Sequence, residues 1–355
     1  MSDKIRAMVV DDSAYNRQTI KAILQEDPNI EVVGIASDGV DAMSKVMRLD
    51  PDIITLDYEM PEMDGFSFLR WLMKEKPTPV IMVTSVTDKK VAFKALELGA
   101  MDFVLKPTKR ASAELNNIKK DLLTKVHAVK SINMNVLKRN IKTIEEKKNK
   151  HSKSSDKMFV APYEVIAIGS STGGPSALQM ILTELPSDLP CAVVISQHMP
   201  RGFTKPLAER LDKLCNLRIM EGRDGDILKK GAIYICPGGY HMSFDKRSDN
   251  INIILNESKS EDKYVPSVDK MMTSISTFMK ARVMGIVLTG MGNDGAEGMV
   301  KIRRAGGYTI AESEESSVVF GMPQEVIKAK AAETVLPVDL IASEIRRIAI
   351  GERRA

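Results

Sequence analysis

At 355 residues, with 43% hydrophobic and 28% charged residues, the chain has the size and composition of a soluble protein of two ordinary domains. No apolar run approaches the roughly 18–20 residues of a membrane span, and three widely spaced cysteines (Cys191, Cys215, Cys236) exclude a disulfide scaffold and suit buried thiols in a reducing cytosol. The net charge of +4 is concentrated between Lys138 and Lys157, where eight Lys/Arg stand against three acids; the near-neutral remainder speaks against a nucleic-acid-binding surface.

The chain starts Met-Ser-Asp-Lys, without the charged-then-apolar layout of a secretory signal, so a cytoplasmic protein without membrane insertion is expected. From Ile5 to Lys106, short apolar runs alternate with helical periodicity. The runs are Ile5–Val10, Glu31–Ile35, Ile53–Leu56, Val80–Val83 and Phe103–Leu105. Between them, spacings such as Ile20/Ile23/Leu24 and Val40/Met43/Met47 predict amphipathic helices. Five near-continuous apolar strands separated by such helices predict a doubly wound α/β domain with a parallel sheet.

In an open parallel sheet, ligands gather at the carboxyl ends of the strands. Asp11, Asp12, Asp57, Thr84 and Lys106 stand at those ends here. Three converging carboxylates suit a hard divalent cation such as Mg²⁺. A lysine and a hydroxyl facing them can neutralise and hydrogen-bond a phosphoryl group moving onto a carboxylate. Each aspartate alone could be a helix cap; all five positions in this order point to a site.

The segments Val-Asp-Asp-Ser (10–13), Leu-Asp-Tyr-Glu-Met-Pro-Glu-Met-Asp-Gly (56–65), Val-Thr-Ser (83–85) and Phe-Val-Leu-Lys-Pro (103–107) resemble the response-regulator receiver family over about residues 4–125. The resemblance implies that Asp57 is the phosphoacceptor and that Asp11 and Asp12 help it hold Mg²⁺. It further implies that Thr84 and Phe103 are switch positions and Lys106 the family's lysine. The expected domain spans 1–125, followed at 126–157 by a basic, partly helical linker, either a solvated spacer or a docking segment for an acidic partner.

A second α/β pattern, expected over 158–355, has apolar strands at Val165–Ile168, Cys191–Ile195, Ala232–Ile235, Ile251–Leu255 and Met284–Leu288. The region Ala232–Leu255 reads as an antiparallel excursion. After the first strand comes Gly-Ser-Ser-Thr-Gly-Gly-Pro (169–175), then an amphipathic helix. Such a turn can be purely structural. It can bind phosphate, although neither GxGxxG nor Gly-Lys-Ser/Thr is present. It can also carry a nucleophile, since 169–173 fits GxSxG.

The nucleophile reading needs a base and an orienting carboxylate. Of the four histidines, His127 and His151 lie in the charged helix and linker, where a solvated role is expected. His198 directly follows the strand Cys191–Ile195, and Asp294 follows Met284–Leu288. Three strand ends thus bring Ser171, His198 and Asp294 to one edge. The chain order Ser…His…Asp differs from the α/β-hydrolase order, so that fold is not implied.

These segments, together with Gln-His-Met-Pro-Arg-Gly-Phe-Thr (197–204), Pro-Gly-Gly-Tyr-His-Met (237–242), Pro-Ser-Val-Asp (266–269), Leu-Thr-Gly-Met-Gly-Asn-Asp-Gly (288–295) and Val-Val-Phe-Gly-Met-Pro (318–323), resemble the chemotaxis protein-glutamate methylesterase family. The resemblance implies Ser171 as nucleophile, His198 as base, Asp294 as orienting acid and the Met291 amide as oxyanion donor. It also implies methylated chemotaxis receptors as substrates, deamidation of receptor glutamines, phosphorylation by the chemotaxis histidine kinase, and an unphosphorylated receiver covering the active site. The catalytic domain is expected to need no cofactor. The family usually has alanine at the position of Ser170, so two serines compete here; Ser171 holds the central GxSxG position. Two rival classes are a non-catalytic adaptor, separable by an ester-hydrolysis assay, and a DNA-binding response regulator, whose second half should be smaller and helical.

Overall fold

The computed structural model describes residues 4–85, 89–106, 113–139, 163–247 and 250–349, and the chain divides into two compact units, Met1–Lys142 and Thr143–Ala355. In the first unit, β1 (Ile5–Val10), β2 (Ile30–Ala36), β3 (Ile53–Asp57), β4 (Val80–Thr84) and β5 (Asp102–Leu105) form a parallel sheet in the order β2-β1-β3-β4-β5. Helices α1 (Ala14–Gln25), α2 (Gly39–Leu49), α3 (Gly65–Glu75), α4 (Lys89–Glu97) and α5 (Ala113–His127) connect or follow the strands. Strands β3 and β4 are buried at every position, which is why they read as unbroken apolar runs rather than alternating ones. The order reverses between β1 and β3, so the ends of these two strands form the crevice where ligands collect.

The first unit continues past the expected boundary at residue 125. Val126, Ala128, Val136 and Leu137 are all buried, so the start of the expected linker packs as core. His127, expected to be solvated, instead bonds the Asp27 carboxylate at 2.6 Å. The remainder of the expected linker, residues 140–157 with His151, lies outside the described residues.

In the second unit, seven parallel strands run in the order β14-β13-β12-β6-β7-β9-β8. They are β6 (Val165–Ser170), β7 (Ala192–Gln197), β8 (Arg218–Glu221), β9 (Ala232–Ile235), β12 (Val283–Val287), β13 (Tyr308–Glu312) and β14 (Thr334–Leu336). The chain leaves β6 towards β7 and later returns to β12 on its other side. The switch point is therefore at β6, with β7 and β12 as neighbours.

The antiparallel excursion is smaller than expected. The strand β9 joins the parallel sheet, and only β10 (Tyr240–Arg247) and β11 (Asn250–Glu257) form a separate hairpin. The hairpin buries Met242, Phe244 and Ile253 in the same apolar cluster as α6 (Val268–Met279). That helix buries Val268, Met271, Met272, Ile275 and Met279, a 3–4-residue spacing that keeps one stripe on the core. Each such side chain contributes about 1.5–3 kcal/mol on burial. Close packing fixes the helix start against β6: a Cβ on Gly169 would lie 2.2 Å from Val268. No helix among the described residues is long and apolar enough to cross a membrane.

Candidate active site

At the carboxyl edge of the first sheet, carboxylate oxygens of Asp11, Asp12 and Asp57 lie within 4.8 Å of one another. Lys106 Nζ, placed by the end of β5, pairs with Asp57 Oδ2 at 2.7 Å, and the Tyr58 amide donates to Asp57 Oδ1 at 2.7 Å. Burial outweighs the lysine at Asp57 and raises its pKa. At half-buried Lys106 burial works the other way, and the carboxylates overcome it to keep the amine charged. Burial, followed by the Asp57 charge, pushes Asp11 up to about 6. Asp11 Oδ2 is buried without a hydrogen-bond partner among the described residues, an orphaned acceptor on a member of the cluster. This donor set, all hard oxygens with one unsatisfied, fits a divalent cation. Thr84 is buried at this edge, and Phe103 is buried further back along β5, paired with Met82.

At the switch point of the second sheet, β6 ends in Ser170 and turns at Gly173, whose φ of +80° favours glycine. The two adjacent serines meet different surroundings. Ser170 is fully buried, and its hydroxyl donates to Gln197 Oε1 at 2.6 Å. Gln197 also donates to the carbonyls of Ser171 (2.9 Å) and His198 (3.0 Å), tying the two strand ends together. Ser171 is only half-buried, and its amide is fixed by the Thr289 carbonyl at 3.1 Å.

His198 follows β7, and its Nε2 bonds Asp294 Oδ2 at 2.8 Å across 96 residues of chain. That leaves Nδ1 as the ring nitrogen available to a serine hydroxyl. No hydrogen bond joins Ser171 to His198 among the described residues; in unliganded sites such bonds are commonly loose and tighten with substrate. The ring of Tyr264 stacks on His198, with centroids 5.2 Å apart and planes 7° from parallel. The Tyr264 hydroxyl donates to Asn293 Oδ1 at 3.0 Å, holding the stack beside the loop that carries Asp294.

Asp294 is 2% exposed and sits on the start of α6. Its Oδ1 accepts from Ser267 Oγ (3.1 Å) and the Asp269 amide (2.9 Å), while Oδ2 accepts from the Val268 amide (2.7 Å) as well as from His198. A helix N-terminus favours an anion through its free amides and dipole. Burial opposes ionisation, but these bonds and His198 outweigh it and lower the Asp294 pKa. Neighbouring Asp269 has the opposite balance: burial, with the Asp294 charge adding to it, raises it to about 6.

The turn 289–292 lies against the nucleophile candidate. A Cβ on Gly290 would come within 2.6 Å of Ser171 Cβ and 2.5 Å of Met322 Sδ. Gly290 gives its N–H to Val319 and its carbonyl to Gly321 and Met322, whereas the Met291 N–H has no backbone partner among the described residues. A fixed turn with a free amide beside a serine can bind an oxyanion.

Ser171, His198 and Asp294 are thus gathered at one edge, and Met291 lies in the turn beside them. The contributions of Gln197 and Tyr264 are not readable from spacing, since nothing local marks a glutamine or tyrosine as a partner of a distant ring. Ser267 had a local signal, a serine directly before an apolar helix in the N-cap position. Cys191 and Cys236 are buried and Cys215 partly so. Burial raises all three thiols, Cys191 and Cys215 to about 12, which leaves them inert as nucleophiles.

A family model described as CheB methylesterase matches residues 166–345, and one described as response regulator receiver domain matches residues 7–116. The protein-glutamate methylesterase/protein-glutamine glutaminase 3 of Geobacter sulfurreducens is 44% identical, covering 96% of this chain and 96% of its own. The protein-glutamate methylesterase/protein-glutamine glutaminase of Halalkalibacterium halodurans is 40% identical, covering 98% and 99%. Among solved structures, the Thermotoga maritima CheB methylesterase catalytic domain is 40% identical with a TM-score of 0.50, covering 52% of this chain and 97% of that domain.

Proposed function

The chain belongs to the CheB methylesterase family and carries a response-regulator receiver domain ahead of its esterase domain, and from that premise we propose that it hydrolyses glutamate methyl esters on chemotaxis receptors, and deamidates receptor glutamines, through Ser171, His198 and Asp294. The observation that carries the assignment is the His198–Asp294 bond at 2.8 Å, set on a helix N-terminus at the sheet's switch point.

With Nε2–H bonded to Asp294, His198 Nδ1 takes the Ser171 proton as Oγ attacks the ester carbonyl. The Met291 amide receives the oxyanion of the tetrahedral intermediate. On collapse, the carbon–oxygen bond to methoxide breaks, and His198 returns the proton so that methanol leaves. Water, deprotonated by the same nitrogen, attacks the acyl-enzyme; Ser171 recovers its proton and glutamate departs. With a glutamine side chain, ammonia is the first leaving group. Asp294 stays ionised throughout and stabilises the imidazolium.

In the receiver, Asp57 accepts a phosphoryl group from a chemotaxis histidine kinase, and phosphorylation raises the esterase rate. Asp11, Asp12 and Asp57 would hold Mg²⁺, supported by the unpartnered Asp11 oxygen. When bound, the ion neutralises charge on the phosphoryl oxygens. Lys106 Nζ, 2.7 Å from Asp57, holds another of those oxygens, and Thr84 and Phe103 act as switch positions. The protein is proposed to work in the cytoplasm.

The test is methanol release from methylated receptor membranes, with and without a small phosphodonor and Mg²⁺. Release that rises with phosphodonor, loses that response in Asp57→Ala and vanishes in Ser171→Ala supports the whole reading. Wild-type protein that releases no methanol under either condition overturns it in favour of a non-catalytic adaptor.

A further inference from the structure

His241 and Asp262 take no part in the chemistry above, yet both are joined to it by hydrogen bonds. His241, on β10, is 4% exposed, and its Nε2 bonds Asp262 Oδ2 at 2.8 Å. Asp262 is itself held by the Lys270 amine on Oδ1 (2.6 Å) and the Lys259 amide on Oδ2 (2.8 Å). The Lys270 bond above all keeps its carboxyl well below the usual range, so it accepts rather than donates. The proton on His241 is therefore on Nε2, and Nδ1 is an acceptor. It receives the Ser267 N–H at 3.1 Å.

Ser267 is the residue that delivers the start of α6 to the active site. Its hydroxyl donates to Asp294 at 3.1 Å and accepts from the Lys270 amide at 3.2 Å, capping the helix. The next two amides, of Val268 and Asp269, complete the grip on the same carboxylate. A continuous path thus runs Asp262–His241–Ser267–Asp294–His198. We propose that His241 and Asp262 are positioning residues for the ester hydrolysis, acting through Ser267 to set the Asp294 carboxylate against His198. The proposal rests on the triad reading given above.

The hairpin that carries His241 has other anchors. Met242 and Phe244 are buried, and the Phe244 amide donates to Ser274 Oγ at 2.9 Å. The hairpin therefore stays on α6 without His241; what His241 alone adds is an acceptor for the backbone N–H of Ser267, the residue whose hydroxyl touches Asp294. A shift of the helix start by a fraction of an ångström would move Asp294, and misplacement by about 1 Å can cost about 10²-fold in rate.

The experiment uses the full chain with His241→Leu, His241→Asn and Asp262→Asn. Two readouts are followed: methanol release from methylated receptor membranes, and labelling of the active serine by a fluorophosphonate, as rate and final stoichiometry. His241→Leu should lower kcat about 10- to 100-fold, the range seen for outer partners of ligating groups, with KM within about twofold. Its labelling should slow in proportion but still reach one label per chain. Asparagine offers its Oδ1 near the place of Nδ1, so His241→Asn should recover to within about fivefold of wild type. Asp262→Asn should lower kcat by about 3- to 10-fold, because the ring is no longer held to one tautomer.

The proposal is overturned if kcat of His241→Leu stays within about twofold of wild type, if kcat falls only as far as labelling stoichiometry does, or if His241→Asn is no better than His241→Leu. Should His241→Leu fail to fold, an unchanged kcat in Asp262→Asn overturns it equally. Wild-type protein that neither takes the label nor releases methanol fails the triad reading itself, an outcome distinct from all of these.

Discussion

Asp57 and Asp294 both stand at the carboxyl edge of a parallel sheet, both are almost fully buried, and each faces one cationic or basic side chain within 2.8 Å. Their remaining surroundings differ. Asp57 has one backbone amide and sits within a cluster of acids, one of whose oxygens is unpartnered; its pKa is raised. Asp294 has two backbone amides and a hydroxyl besides His198, and its pKa is lowered. Asp57, proposed to take on a phosphoryl group, accepts one bond on each oxygen and stands beside the unpartnered Asp11 oxygen, so that an incoming cation and phosphoryl group improve the situation of the cluster. Asp294, proposed to orient a base, accepts two bonds on each oxygen, which hold it in place and favour its ionised form.

The same substitution at the two edges should therefore have unlike results. Asp294→Asn should lower kcat for methanol release by roughly 10⁴-fold, since the amide can present its NH₂ to His198 and favours the wrong tautomer. Gly290→Ala is next: its methyl must displace Ser171 or Met322, 2.6 and 2.5 Å away, and with them the turn proposed to bind the oxyanion. A drop of roughly 10²–10³ in kcat is expected, the scale of losing one oxyanion donor. Asp57→Asn should abolish the response to phosphodonor while leaving the unstimulated rate within about twofold, because its edge supplies no group to the ester chemistry.

Two smaller effects refine the contrast. Asp262 has a folded-state pKa below the ordinary carboxylate value, so its contribution to stability is present above about pH 4 and is lost as pH falls below that. The thermal midpoint of Asp262→Asn should lie below wild type at pH 7, and the gap should narrow steadily as pH falls below about 4. Ser170→Ala should change methanol release by less than about twofold, because its hydroxyl is spent on Gln197 inside the core. A large loss there would mean that the wrong serine has been chosen.

Much of this arrangement could be read from the chain before any coordinates. The ends of buried parallel strands announce themselves, because an apolar run stops abruptly at a polar residue. Asp11, Asp57, Ser171 and His198 all stand at such stops. Strands with weaker runs escaped: Arg218–Glu221 at the sheet edge, Tyr308–Glu312, whose apolar residues are interrupted by Thr309, and Thr334–Leu336, which spans only three residues. What surrounds Ser171, His198 and Asp294 was hidden for a different reason. Tyr264 over His198, Gln197 beneath Ser170, and His241 behind Ser267 are contacts between elements far apart in the chain. They depend on how strands pair and on how loops, a hairpin and a helix dock, and no local periodicity encodes either. Likewise the choice between Ser170 and Ser171 turns on where β6 ends: Ser170 is the last of six buried strand residues, and Ser171 stands half-buried in the turn that follows.

The most direct test is to trap the acyl-enzyme from a methylated receptor peptide by rapid acid quench and map the modified residue by peptide mass spectrometry. A single acyl adduct is expected on Ser171, lost in Ser171→Ala and retained in Ser170→Ala. An adduct on Ser170, or full methanol release by Ser171→Ala, would contradict that expectation.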